Sequence, residues 1–242
     1  MMNANPKRSR AKLLGRRPVI ADFDAREHML DLATQLFAER GIAATTVAQI
    51  AAAAGVSSAM VHYCFTTREK LLDAVVEERL AQAVAFVWDE GPGRLSKESD
   101  TFTLVQELVE RLFEVTVHMP WLPSLWMREM ANEGGLLRDR MIKRVPIEQI
   151  ERFAADIARA QEAGKINPEL EPMFLLNSIL ALVMFPLAAA RIWHSGRGIT
   201  TLDRDLLHRH VSAFLRSGIS HPPRSSRTSL ALAERTTMCF AR

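Results

Sequence analysis

Between Thr46 and Phe65 the chain reads TVAQIAAAAGVSSAMVHYCF, and few folds can house that pattern. Apolar or small residues fall at Ile50, Ala51, Ala54, Val56, Val61 and Cys64, the positions through which two short helices crossing at a steep angle would touch. Ala51 is small enough to let them approach closely. Gly55 can take the positive φ that ends the first helix without a Cβ clash. Thr46 with Gln49 three residues on reads as a capping box, and Ser57 can cap the second helix. The pattern is a helix-turn-helix, with a second helix shaped to lie in a groove of duplex DNA. Short helix pairs also occur in proteins that never touch DNA, so the pattern alone leaves both readings open.

The rest of the chain supports an all-α fold. Its 242 residues include a single Tyr, and no stretch sustains the period-two alternation of a half-buried strand. That length can hold a small domain joined to a larger one. Charge is unevenly placed: Lys7, Arg8, Arg10, Lys12, Arg16 and Arg17 share residues 1–20 with no acid, while the whole chain is only +3. Such an arm suits contact with a polyanion, or it is a solubilising tail. No apolar run follows it, so it does not read as a secretory leader. Cys64 and Cys239 make neither a disulfide framework nor a metal spacing, which fits a reducing cytoplasm. Residues 173–190 carry no charge, but Asn177, Ser178 and Pro186 lie inside the run; a buried helix fits better than a membrane span.

Taken in order, Met29, Leu32, Ala33, Leu36 and Phe37 draw an apolar stripe along a first helix from about Asp24 to Arg40, which Gly41 stops. After the helix pair, Thr66 and Glu69 read as a capping box for a fourth helix running without a break to about Trp88. GPG at 91–93 ends it. A second, larger helical domain begins at Thr101, with Leu104, Val105, Leu108, Leu112, Val115 and Met119 near one face. Pro120 and Pro123 break that helix, a Trp126–Met130 helix follows, and Pro146 restarts the chain through Phe153 and Ile157. The expected organisation is a basic arm (1–22), a helix-turn-helix domain (23–70), a ligand-binding and dimerisation domain (71–217) and a tail (218–242).

The run LATQLFAERGIAATTVAQIAAAAGVSSAMVHYCFTTREKLL resembles the DNA-binding domain of TetR/AcrR-family transcriptional regulators. Leu36-Phe37, Gly41, Thr45-Thr46-Val47, Ile50-Ala51, Ala54-Gly55-Val56-Ser57, Tyr63, Phe65, Arg68 and Leu71-Leu72 carry the resemblance without a gap over about residues 28–72. It implies that Thr46 donates to phosphate and that Ser58, Ala59 and Met60 meet base edges. His62 and Tyr63 would lie against the backbone, and Arg68 would reach phosphate. With Ser57 at the start of the recognition helix, these form the expected DNA-facing set. The chain departs from the common pattern at Ala48, where a basic residue is frequent, at Ser58, where Lys is common, and at His62, where Tyr is usual.

Those departures have a physical consequence. From Ser57 to Phe65 there is no Lys or Arg, so the helix cannot make a bidentate Arg–guanine contact. Sequence preference would rest on Ser58, on apolar contact of Ala59 and Met60 with thymine methyls, and on DNA shape. Affinity would lean on Arg68 and the arm. Cys64 reads first as a small buried residue rather than a thiol sensor, and His62 as a hydrogen-bonding ring rather than a pH switch.

The resemblance further implies that helices at about 169–195 and 203–217 pack against their twins as a four-helix dimer interface. Two heads related by a two-fold axis would then read a palindromic operator. It places the effector pocket among the middle helices, where Phe113, His118, Trp121, Trp126, Met130, Phe153 and Phe185 are candidate lining for an apolar or aromatic effector. Any one of them could simply fill core. His118 and His194 are the polar handles, while His208 and His210, two apart, suit no metal. No cofactor is called for, and no nucleophile motif, phosphate-binding glycine loop or metal spacing supports an enzyme. The expected function is a homodimeric repressor released from DNA by a small effector; the alternative is a DNA-binding regulator without an effector, controlled by a protein partner or acting as an activator.

Overall fold

The computed structural model describes residues 19–88, 101–130, 135–190 and 202–220, with side chains from Asp24 in the first helix and from Phe102 in the second segment. The His194 handle, the arm up to residue 18 and the tail beyond Ser220 lie outside the described residues. Helix α1 spans Val19–Arg40, starting earlier than its apolar stripe implies. Met29, Leu30, Ala33, Phe37 and Ala38 are buried along it, because apolar positions at helical spacing share one face. Thr34 sits among them without an orphaned hydroxyl, since its Oγ1 donates to Leu30 O at 2.8 Å. Gly41, at φ +86, ends the helix in a backbone region that a side chain disfavours.

Helices α2 (Val47–Ala53) and α3 (Ser58–Phe65) follow, bent by 106° from one another. The capping box is present in full: Gln49 N donates to Thr46 Oγ1 at 3.2 Å, and Thr46 N donates to Gln49 Oε1 at 2.8 Å. Ile50, Ala51 and Val61 are buried between the helices, with Ala54, Val56 and Cys64 half-buried beside them. Gly55 takes φ +65 at the hinge.

The fourth helix differs from its expectation in two ways. Its N-cap is Thr67, whose hydroxyl accepts from Lys70 N at 3.2 Å. Thr66 instead takes φ 60, a rare value for a β-branched residue, and breaks α3 from α4. The helix is also not uniform. Between α4 (Arg68–Val75) and α5 (Ala81–Trp88) lies a π-helical turn, Val76–Leu80. One extra residue per turn there rotates the side chains that follow relative to those before.

Charged groups grip this turn from two sides. On the α1 side, Arg26 gives Nη1 and Nη2 to the Glu78 carboxylate at 2.7 and 2.6 Å and lies 5.1 Å over the Phe65 ring. Arg79 reaches back to Asp31 and Glu27, each at 2.8 Å. On the other side, Arg140 of α8 (Arg138–Ile142) bonds Asp73 at 2.8 Å, and Arg144 bonds Glu77.

The body contains α6 (Thr101–His118), α7 (Leu122–Glu129), α9 (Ile147–Glu162), α10 (Pro172–Ala188) and α11 (Arg204–Ile219). Leu108, Leu112, Leu125, Ile157, Ile179, Val183 and Val211 meet in its core. Burying each stabilises the fold by about 1.5–3 kcal/mol before entropy is counted. Helix α7 packs against both α10 and α1, so the body touches the head directly. Leu175, Leu176, Ile179, Val183 and Met184 of α10 are buried against the body, and no single helix among the described residues is long and apolar enough to cross a membrane.

Glu78 titrates below its ordinary value because Arg26 hydrogen-bonds its carboxylate, and Asp73 does so because of Arg140. A carboxylate whose folded pKa lies below its unfolded one adds stability above the unfolded value. That contribution fades as pH falls through the folded value. Glu78→Gln should therefore lower the melting temperature at pH 7 and lower it by less at pH 3. Thermal melts of both proteins at the two pH values check this.

Candidate nucleic-acid interface

The recognition helix α3 presents its expected face. Ser57, Ser58, Ala59, His62 and Tyr63 are exposed, with Tyr63 at 75% the most accessible large apolar side chain of the described residues. A ring held that far from any packing partner is costly to leave in water and suits stacking along a sugar–phosphate backbone. The Ser57 hydroxyl is partly engaged as the cap, accepting from Met60 N at 3.3 Å. His62 Nδ1 lies 3.4 Å from Thr66 O, which leaves its other nitrogen to meet an acceptor or donor outside. Thr46, at the exposed start of α2, stands where a hydroxyl can meet phosphate beside the helix N-terminus. Met60 is half-buried against the core, so less of it is offered to a groove than the sequence implies.

Arg68, expected to reach phosphate, is held within the head. Its guanidinium points inward, donating from Nη1 to Thr45 O at 2.7 Å and from Nη2 to Ile42 O. Thr45, fully buried, adds its hydroxyl to Gly41 O at 2.8 Å. The first of the Arg68 bonds meets the Thr45 carbonyl, and the second joins the Thr45 N–H on the Ile42 carbonyl, where α1 ends and the turn to α2 begins. A planar fork with several donors can tie two carbonyls at once, which a Lys could not do as well. Arg68 thus builds the turn that orients α2, and two of its nitrogens are occupied before any phosphate arrives.

The electrostatics of the head follow from this. Between residues 24 and 75 the bases are Arg26, Arg40, Arg68 and Lys70, against Asp24, Glu27, Asp31, Glu39, Glu69 and Asp73. Arg26 is also committed, to Glu78. The described head is therefore slightly acidic, which leaves little net positive charge there to attract a phosphate backbone.

The expected effector residues do not converge. Phe113 and Phe153 are buried and fill core, Phe113 with its ring edge-on to His208 at 4.8 Å and Phe153 edge-on to Trp88 at 6.4 Å. Trp126 and Met130 lean half-buried on the same core. Phe185 is 56% exposed on the outer face of α10. His118 is exposed at the end of α6, 3.8 Å from Glu114 and 6.0 Å from the Phe86 ring. Trp121 borders a cavity bounded by α1, the start of α7 and the end of α10. No periodicity marks that place, because it is assembled from three distant segments.

With this geometry in view, the comparisons with known proteins are specific. Residues 29–75 match the model of the bacterial regulatory proteins of the tetR family. The chain is similar to the transcriptional repressor KstR2 of Mycolicibacterium smegmatis, 34% identical over 150 residues that cover 60% of this chain and 69% of the relative. The chain belongs to the TetR family. It is also 34% identical over 125 residues to the nicotine-responsive repressor HdnoR of Paenarthrobacter nicotinovorans, covering 49% of this chain and 62% of that one. KstR2 of Rhodococcus jostii matches at 45% over 51 residues, only 25% of its length. Among solved structures, the ketosteroid regulator KstR2 of Mycobacterium tuberculosis superposes with a TM-score of 0.62 at 22% identity, over 81% of this chain and 94% of that one. The fold of a TetR regulator, a helix-turn-helix head on a larger helical body, is therefore shared beyond the head.

Two substitutions separate the roles of Arg68 and Tyr63. Arg68→Ala should destabilise the head by about 1.5–3 kcal/mol, the worth of hydrogen bonds from a charged donor to backbone carbonyls. Tyr63→Ala should leave the melting curve in place and weaken binding to DNA. Paired thermal melts and gel-shift titrations read the two effects apart.

Proposed function

We propose that this TetR-family regulator is a homodimeric repressor that leaves a palindromic operator when a small apolar or aromatic effector binds. The observation that carries the dimer is an unpartnered apolar face. On α10 the exposed residues Phe174, Asn177, Ser178, Ala181 and Phe185 recur at helical spacing, and on α11 Leu206, His210, Ala213 and Phe214 do the same. Large apolar side chains lined up on two neighbouring helices favour a covering partner, and a second copy related by a two-fold axis presents the same surface. Phe185 finds its use there instead of in a pocket. One head buries too little DNA to be specific, whereas two heads a helical turn apart read a palindrome.

Sequence readout falls to Ser58, Ala59, part of Met60 and His62, with Thr46 and Tyr63 on the backbone and Arg68 holding the turn. Grip comes largely from the arm, whose Lys7, Arg8, Arg10, Lys12, Arg16 and Arg17 outnumber the bases of the head. The effector reading is supported by relatives: HdnoR is a nicotine-responsive repressor and the KstR2 structure is that of a ketosteroid regulator. Both point to ring-bearing molecules. Release is then a population shift, in which effector favours a head spacing that no longer fits two half-sites.

Removing residues 1–17 should lower operator affinity and flatten its salt dependence, by about 0.9 in slope for each phosphate that the arm no longer neutralises. An unchanged slope in gel-shift titrations from about 50 to about 200 mM salt would overturn the role given to the arm. Phe174→Glu together with Phe185→Glu should yield a folded monomer by sedimentation, with operator binding abolished. A variant that remains dimeric would remove α10 from the interface.

A further inference from the structure

Head and body do not close completely on each other. A cleft of about 380 Å³ opens between the C-terminal half of α1, the corner where α6 turns into α7, and the last turn of α10. Gln35 and Ala38 come from the head, Trp121 and Ser124 from the corner, and Leu187 and Ala188 from α10. We propose that this cleft is an effector site, taking a flat, neutral molecule that pairs an apolar ring with hydrogen-bonding groups. The proposal deepens the ligand-responsive reading above and rests on it.

Size and lining set the class. The volume falls within the roughly 300–1,000 Å³ common to small-molecule sites. The half-buried Trp121 indole, Ala38, Leu187 and Ala188 supply apolar walls, and an indole face favours another flat ring. The Gln35 amide and the Ser124 hydroxyl each offer donor and acceptor, so one polar group on the ligand can be met whichever way it is protonated. Glu39 also borders the cleft, and Arg128 brings a guanidinium near it by donating from Nη2 to the Glu39 backbone carbonyl at 3.4 Å. Adjacent charges of opposite sign leave little net field to select a charged ligand.

Position gives the coupling. Helix α1 shares one packed core with α2 and α3, and its end leads through Gly41 into the turn that Arg68 holds. Trp121, Ser124 and the α10 residues belong to the body. A molecule lodged here touches both, so its affinity must change when the head tilts, and by linkage its binding must bias the tilt. A ligand enclosed wholly within the body would need a relay to do the same.

The test uses the full chain and 2-naphthol as the probe. Gln35→Phe fills the cleft from the head side at an exposed position, and Ala188→Phe fills it from the body side. Calorimetric titration should show 2-naphthol binding to the wild type, weakened about tenfold or more in each variant. Saturating probe should lower operator affinity about tenfold in the wild type and leave both variants unmoved. Thermal melts establish that each variant is folded, and the exposed Gln35 position keeps the test alive if Ala188→Phe is not. Absence of binding, binding in both variants equal to the wild type, or tighter binding of 2-naphthoate than of 2-naphthol would each overturn the proposal. If operator is bound but probe releases it equally from wild type and variants, the repressor reading stands and the cleft falls. If the wild type binds no operator at all, the regulator reading itself fails.

Discussion

Arg26 stands where three elements meet, and its contacts tie them together. Its guanidinium is shared between the Glu78 carboxylate and the face of Phe65, the last residue of α3. The link therefore joins α1, the recognition helix and the π turn of the long helix in one contact. Arg79 returns the connection to Glu27 and Asp31; burial opposes its charge, but hydrogen bonds from the guanidinium to the two acids outweigh that penalty. Half-buried ion pairs of this kind contribute little net stability, because desolvation consumes most of the attraction. What they give is a defined orientation, since each pair is satisfied in one geometry only. Arg140 holds the same long helix to the body at Asp73 of α4, and Arg144 does so at Glu77 of the π turn, so head and body are both attached at or beside one short, irregular turn.

That arrangement reassigns charge within the head. Two of its four bases are committed to architecture, Arg26 to the long helix and Arg68 to the carbonyls of Thr45 and Ile42. A DNA-binding unit that uses its arginines to fix its own turns must obtain phosphate affinity elsewhere. The recognition helix lacks a permanent positive charge, and its exposed face offers hydroxyls, a methyl, an imidazole and a phenol. In the proposed function such a surface would read shape and position the protein, with the basic arm as its complement.

The same logic of placement governs the body. Aromatic residues that look alike in sequence have different fates: Phe113 and Phe153 close the core, Phe185 faces outward on α10, and Trp121 stands at the seam with the head. Apolar character alone cannot sort these cases. Which side of a helix is covered depends on what the helix packs against, and α10 has the body on one side and an unpartnered face on the other.

The sequence by itself determined the all-α class, the helix pair at Thr46–Phe65, its capping box and its glycine hinge, and so the family. Each of these is local: a cap, a positive φ and a helical period are decided within a few residues. The tertiary structure alone decided what Arg68 does, because its partners lie 23 and 26 residues away along the chain. It also decided that Thr67 rather than Thr66 caps the fourth helix, where two equivalent hydroxyls stand side by side and only the backbone path selects between them. The π turn and the cleft at Trp121 belong to the same category. They arise where distant segments are brought together, and no spacing within one segment encodes them.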